Sequence, residues 1–452
     1  MKKKIYRGNR VVILAFTFIA IIMCIVTGIY LFYGLFASVI FSSCLFVKGG
    51  FTFKELLTMI KDSLVECREL FILMLLVGIT IPIWFSSGII PAMMFYGFNY
   101  FIGKNLIFAA FIFTSIVSVF IGSSIASIST IGIALLGLGK VFHGPDYIFL
   151  GAVVSGAFLA DKLSPISGLV NLMLSITKVS YRKALISMSK IFLPAYVLAS
   201  AIYFYIGKNY IVTNGNLSNF KNSIRENFFV SPLPLLVLVA IFIMCFLGIR
   251  VVKSLSIGLI AGILISIFLQ KVAVAKIFEY IFFGYSEATS SQELNKILTG
   301  GGIESVIGII FIIMMAIALS SIFKGTGFIN PIVDKIIANV KDPGELVLKT
   351  GIISGMLTVL CDQSVGVIMP GELLRDKYKK LKVPNHVLAR TISDTGIIIA
   401  PLIPWNGNSL FILALTGISS IKYSPYAFFC YILPIVTFIS GIFYKKLSSF
   451  CN

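Results

Sequence analysis

Apolar residues run in long blocks along this chain, and the polar stretches between them are short and mostly basic. Blocks long enough to cross a hydrocarbon core of ~30 Å as helices recur from Val11 onward, and hydropathy predicts roughly ten to thirteen spans. The stretch Val11 to Val47 is too long for the apolar core of a signal peptide and reads as two spans. Phe51 to Glu69 differs: Lys54, Glu55, Lys61, Asp62, Glu66, Arg68 and Glu69 recur among apolar residues at helical spacing. That pattern predicts an interfacial amphipathic helix leading into a span. The span Leu70 to Phe85 ends at Trp84-Phe85-Ser86-Ser87-Gly88-Ile89-Ile90-Pro91, whose breakers predict a turn. Further spans are expected over Ile191 to Ile206, Pro232 to Leu247 and Ser254 to Leu269. Polar Gly207 to Asn227 reads as a surface loop dividing an N-terminal transmembrane half, 1–228, from a C-terminal half, 229–452.

Two stretches interrupt this pattern with polar residues at lipid depth. One is Gly156-Ala157-Phe158-Leu159-Ala160-Asp161-Lys162-Leu163-Ser164-Pro165-Ile166-Ser167-Gly168-Leu169-Val170-Asn171; the other runs from Ala389 through Arg390, Asp394, Thr395, Pro401 and Pro404 to Trp405-Asn406. Carboxylates and prolines are costly in hydrocarbon and are retained where they face a protein-lined or wet cavity. One interruption per half points to the central site of a carrier built from broken helices. The halves also share landmarks. Ser87-Gly88 and Thr326-Gly327 lie 239 residues apart, Ser123 and Asp362 also 239, and Ser164-Pro165 and Ala400-Pro401 236. Near-constant spacing predicts an internal structural repeat, inverted repeats being the commoner solution for ion-coupled carriers. The expected fold is therefore an all-α polytopic membrane protein with two related halves.

Composition agrees. With 58% hydrophobic and 12% charged residues in 452, the chain is unlike soluble proteins, in which charged residues make up about a quarter. The net charge of +19 sits in short connections, which the positive-inside rule explains better than a nucleic-acid partner does. The start Met1 to Arg10 is accordingly expected in the cytoplasm and Arg375 to Lys382 with it, the chain crossing the cell membrane many times. Seven scattered cysteines read as packing residues. No Walker loop, zinc spacing or nucleophile elbow is found, so neither ATP-driven transport nor catalysis is expected, and no cofactor.

Asp394 follows Arg390 by four positions, so on a helix the two share a face and can pair. Structural ion pairing is one reading; the other makes Asp394, beside Thr395 and a helix break, the ionisable oxygen of a mid-membrane site. A carboxylate that binds either a proton or a sodium ion, but not both, is the simplest exchanger. Pro401 and Pro404 lack N–H donors and free carbonyls that can coordinate a cation. Asp161 precedes Lys162, so local neutralisation competes with a functional role; Ser164, Pro165, Ser167 and Asn171 supply the break and oxygens. Asp362 lies between apolar runs with no adjacent cation. Ser123 belongs to a cluster of small hydroxyl residues that either packs helices or offers oxygens to an ion. Trp405 is either an interfacial tryptophan or part of the break.

These stretches, with Trp84 to Gly97, Asp362 to Gly371 and Tyr423-Ser424-Pro425-Tyr426-Ala427-Phe428-Phe429, resemble the NhaC-type sodium/proton antiporters. The resemblance implies a secondary carrier exchanging Na+ for H+, with Asp161, Asp362, Asp394 and Asn406 at matching positions and Na+ held through Asp362 and Asp394. Where that family's pattern has an acidic residue and threonines after the first Ser-Pro, this chain has Gly168-Leu169-Val170. Relatives of this type also exchange organic acids or amino acids, so an exchanger of a small organic solute is the second expectation. Membrane lipid is an expected partner, and a homo-oligomer is compatible with the sequence.

Overall fold

The computed structural model describes residues 7–443 except 102, 133–134, 137–138, 140–144, 211–216, 288, 290–293, 296–297 and 339. The basic start before Arg7 lies outside these. The described chain is helical, with one isolated antiparallel bridge between Tyr285 and Gly300. In order the helices are α1 (Arg7–Thr27), α2 (Leu31–Lys48), α3 (Phe53–Glu66), α4 (Arg68–Ser86), α5 (Ile89–Phe101), α6 (Leu106–Ile121), α7 (Asp146–Ala157), α8 (Gly168–Thr177), α9 (Tyr181–Gly207) and α10 (Leu217–Asn227). Then come α11 (Leu235–Phe246), α12 (Val251–Phe268), α13 (Val274–Phe283), α14 (Ile303–Gly325), α15 (Asn330–Ile337), α16 (Pro343–Leu360), α17 (Gln363–Lys380), α18 (Asn385–Ile392), α19 (Gly407–Thr416) and α20 (Phe428–Ile442). Among the described residues seven helices are long and apolar enough to cross a membrane, or up to ten if each bent pair is one span. The lower end of the sequence-based count is met through the bent pairs.

Exposed apolar side chains such as Val26, Val197, Leu236 and Phe268 stand on the outside of these helices. In water that surface would be a liability; in a bilayer it faces chains as apolar as itself. The amphipathic helix expected from Phe51 to Glu69 is α3. A capping box starts it, the Thr52 side chain accepting from Glu55 N–H and the Glu55 carboxylate from Thr52 N–H. Part of the expected loop over 207–227 is helical instead: α9 runs to Gly207 and α10 occupies Leu217–Asn227. Asn and Ser are weak helix formers, so local composition alone favours a loop there.

A proline inside α4 organises the middle of the molecule. Pro82 has no N–H to give the carbonyl of Gly78. Gly302 N–H donates to that carbonyl at 2.7 Å. The approach needs glycine: Gly300, Gly301 and Gly302 have φ of 125°, 78° and 86°, and a Cβ on Gly301 would lie 2.5 Å from Pro82 Cδ.

Three helix pairs are bent at short breaks: α7 with its extension through Leu163 against α8 by 40°, α18 with its extension through Leu402 against α19 by 40°, and Ser420–Tyr426 against α20 by 58°. The first two are the interruptions anticipated from Pro165, Pro401 and Pro404.

Candidate functional site

Beyond α7 a short helical turn, Ala160–Leu163, carries Asp161 and Lys162 and ends at Ser164, whose backbone is extended. In the other half α18 passes into a π-helical turn, Ser393–Ile397, and then a 3-10 turn, Ala400–Leu402, before α19 begins. The wide π turn is where Asp394 sits. Its carboxylate is fully buried and meets the ammonium of Lys162, itself fully buried, in an ion pair. Its second oxygen accepts from Thr437 Oγ1 of α20 at 2.8 Å. The pair therefore ties the broken span of one half to that of the other.

This partner is not the one the spacing predicted. Arg390 is buried and its Nε has no hydrogen-bond partner; no ion pair joins it to Asp394. The i,i+4 alignment holds only while the turn is α-helical, and the chain widens at Ser393. Lys162 does not neutralise Asp161 either. Consecutive residues on a helical turn point about 100° apart, and Asp161 looks toward the break after α6, accepting from Ser124 Oγ and, at 3.4 Å, from Ser167 Oγ. Nearby Ser164 Oγ is buried without a partner. Ser123 caps the short helix Ser124–Ser127, its Oγ accepting from Ala126 N–H at 3.3 Å. Open space surrounds Gly168, at the start of α8.

Asp362 stands at the N-cap of α17, accepting from Ser364 N–H at 2.9 Å. It is half-buried, and Cys67 and Cys361 are its electrostatic neighbours, both of which also feel Lys324. It shares no hydrogen-bond or ion partner with Asp394, so the structure gives these two carboxylates separate surroundings. The link runs through the next residue, Gln363, whose Nε2 donates to Ile397 O at 2.7 Å.

The carbonyls freed by the second break are mostly taken by protein donors, contrary to the expectation that they stand ready for a cation. Gly396 O accepts from Thr358 Oγ1, Ile397 O from Gln363, Pro401 O from Tyr423 OH at 2.6 Å, Leu402 O from Ser424 Oγ, and Ile403 O from Ser409 Oγ. A bilayer supplies no water to such groups, so side chains must. Ion-binding oxygens are then to be sought among side chains. Asn171 serves the first break in the same way, donating to Pro165 O and Ser167 O. Thr395 Oγ1 donates back to Thr391 O within its own helix. Trp405 Nε1 donates to Val359 O at 2.7 Å, tying the residue after the second break to the end of α16. Asn406 caps α19: its Oδ1 accepts from Asn408 N–H and Nδ2, while its own Nδ2 is buried and unpartnered. Asn408 Nδ2 also donates to Gln363 Oε1 at 2.9 Å.

Lys162, Thr437, Ser124, Gln363 and Asn408 thus join the site without having been singled out as members of it. Lys162 carried a signal, a lysine at lipid depth; Thr437 and Gln363 carried none, because their contacts are tertiary. Among the described residues no group of three or more His, Cys, Asp and Glu side chains could hold a metal ion. What the centre offers is an occluded carboxylate matched by an ammonium, a second carboxylate lined by hydroxyls, and unsatisfied polar atoms at Ser164 and Asn406. The carboxylates and the Ser164 hydroxyl suit a small monovalent cation and protons, whereas Asn406 Nδ2 is a donor and offers a cation nothing.

The family model described as "Na+/H+ antiporter family" matches residues 156–444, which includes both breaks. The chain is 28% identical over 417 residues to the Na(+)/H(+) antiporter NhaC of Bacillus subtilis (strain 168), covering 91% of this chain and 92% of that protein. It is 30% identical over 386 residues to the NhaC of Alkalihalophilus pseudofirmus (strain ATCC BAA-2126 / JCM 17055 / OF4), covering 85% and 83%. It is also 25% identical over 402 residues to the malate-2H(+)/Na(+)-lactate antiporter of Bacillus subtilis (strain 168), covering 88% and 86%.

Proposed function

The chain belongs to the Na+/H+ antiporter family, and from that premise we propose that it exchanges sodium for protons across the cell membrane at the Lys162–Asp394 pair. The ammonium of Lys162 occupies the place a monovalent cation takes at Asp394. Sodium competes with it, and binding one requires the other to leave or to give up its proton. Asp161, with Ser124, Ser164 and Ser167 around it, receives the ion or a proton on the way. The observation that carries this reading is a fully buried ion pair joining two broken spans. Burying two charges costs several kcal/mol per ion, and structural stability alone rarely favours it.

Asp362 acts from the side, through Gln363 and the carboxamides of Asn408 and Asn406. The halves 1–228 and 229–452 act as inverted repeats that move against one another. The N-terminus lies in the cytoplasm, no cofactor takes part, and the only obligatory substrates are Na+ and H+. Each inward proton gains ~2.3 kcal/mol per 100 mV, so exchange of unequal charge expels sodium against its gradient.

Proteoliposomes with a trapped pH dye test the proposal. A sodium gradient should drive proton movement with no organic solute, and Asp394→Asn should abolish it. Exchange at the wild-type rate by that variant, or flux only with malate, lactate, arginine or ornithine on both sides, defeats the proposal.

A further inference from the structure

A polar cavity lies away from the ion pair, where the end of α8 meets the turn between α17 and α18. It has a volume of about 420 Å³ and is lined by Lys178, Arg375, Asp376, Lys379, Lys382, Val383, Pro384 and Asn385. Four cations face one carboxylate. Lys178, Lys379 and Lys382 are exposed and make no ion pair among the described residues. The walls are fixed by cross-links between the halves: Arg375 Nη1 donates to Ile176 O at 3.2 Å and Asn385 Nδ2 to Thr177 O at 3.1 Å. These bonds cap the last carbonyls of α8 and leave the lysines unsatisfied. Lys178 and Lys382 both adopt the left-handed region, with φ of 55° and 54°, a strained choice for a lysine. Basic side chains at helix ends offset the helix dipole, but that role needs no cavity and no convergence of residues from three helices.

We propose that this cavity binds a phosphate-bearing anion, either the headgroup of an anionic lipid or a soluble phosphate compound. Lysine is a strong point-charge partner for phosphate, and Arg375 retains free donors beyond the one it gives to Ile176. A dianion seated there bridges Lys178, at the end of one broken span, to Lys379 and Lys382, which lead into the other. Occupancy therefore stiffens the link between the two halves. The proposal does not depend on which ion is transported.

The test uses the full chain in nanodiscs and inorganic pyrophosphate as the soluble probe, with binding read by calorimetry. In nanodiscs of phosphatidylcholine the wild type should bind pyrophosphate, and Lys379→Gln/Lys382→Gln should bind it about tenfold more weakly, the loss of two exposed charge contacts. Lys253→Gln/Lys271→Gln removes the same charge elsewhere and should bind as the wild type does. Nanodiscs containing phosphatidylglycerol separate the sources: loss of pyrophosphate binding there assigns the cavity to a lipid headgroup, and unchanged binding assigns it to a soluble anion. No binding in phosphatidylcholine, or equal weakening by the two double variants, overturns the proposal.

Discussion

At the scale of the residue, the centre is governed by the cost of leaving a buried charge alone. Asp394→Asn removes the partner of Lys162 at a site with no solvent access, and breaking a buried pair costs about 3–5 kcal/mol. The single variant should therefore unfold at a clearly lower temperature in detergent. Lys162→Met/Asp394→Asn removes both charges and should regain most of that loss while remaining unable to exchange ions. An Asp394→Asn protein as stable as the wild type would mean that the pair is not formed in the resting protein. Ser164 permits a cleaner separation of stability from binding. Its Oγ has no partner, so Ser164→Ala should leave the unfolding temperature unchanged or slightly raised, since no bond is lost and a buried polar atom is removed. Its KM for sodium should nevertheless rise several-fold, as measured by dye-reported flux. An unchanged KM would exclude that oxygen from the ion's path.

At the scale of the element, the breaks were legible in the sequence and their support was not. Pro165, Pro401 and Pro404 announce where helices must stop, and the chain does break there. Thr358, Gln363, Tyr423 and Ser409, which occupy the freed carbonyls, sit at separations no local rule connects. Asp394 was legible as a charged residue at a helix break, but spacing rules, which assume a regular turn, point to Arg390 as its partner rather than Lys162. Tyr423→Phe deletes the donor to Pro401 O and should cost about 1–3 kcal/mol for the unmet carbonyl, visible as a lower unfolding temperature with the helix content intact. Outside the spans, Glu287 accepts from Lys276 and from Tyr280 OH, and those bonds hold its carboxyl below the usual range. A lowered folded-state value stabilises the protein above the unfolded carboxyl's pKa of about 4.3, and that stabilisation fades as the pH falls through the folded value. Glu287→Gln should lower stability near neutral pH by only the small amount an exposed pair contributes, and its unfolding curve should converge with that of the wild type as the pH falls through the folded value.

At the scale of the whole molecule, the contacts sort the connections into two faces. Glu69 at the start of α4 meets Arg250 just before α12, and Ser87 at the end of α4 meets Gln270 just beyond α12, so these helices run in parallel. Gln270 also holds Phe229, and Phe85 packs against Tyr285, which places Phe229 and the Glu287 segment on the face of Ser87. α9 crosses from Tyr181 to Gly207, and α10 follows toward Phe229. Lys178 therefore belongs to the opposite face, and through the shared basic cavity Lys379 and Lys382 belong there too. That second face gathers Lys48, Arg68, Arg250, Lys253, Lys178, Arg182, Lys183, Arg375 and Lys377 to Lys382, an excess that the positive-inside rule assigns to the cytoplasm. In intact cells, a membrane-impermeant thiol reagent should label Glu287→Cys and spare Lys379→Cys, whereas permeabilised cells should label both. The wild-type chain sets the background from its own cysteines. Labelling of Lys379→Cys in intact cells would turn the molecule over in the membrane, put the basic cavity outside, and leave the anion it binds to come from the medium or the outer leaflet rather than from the cell.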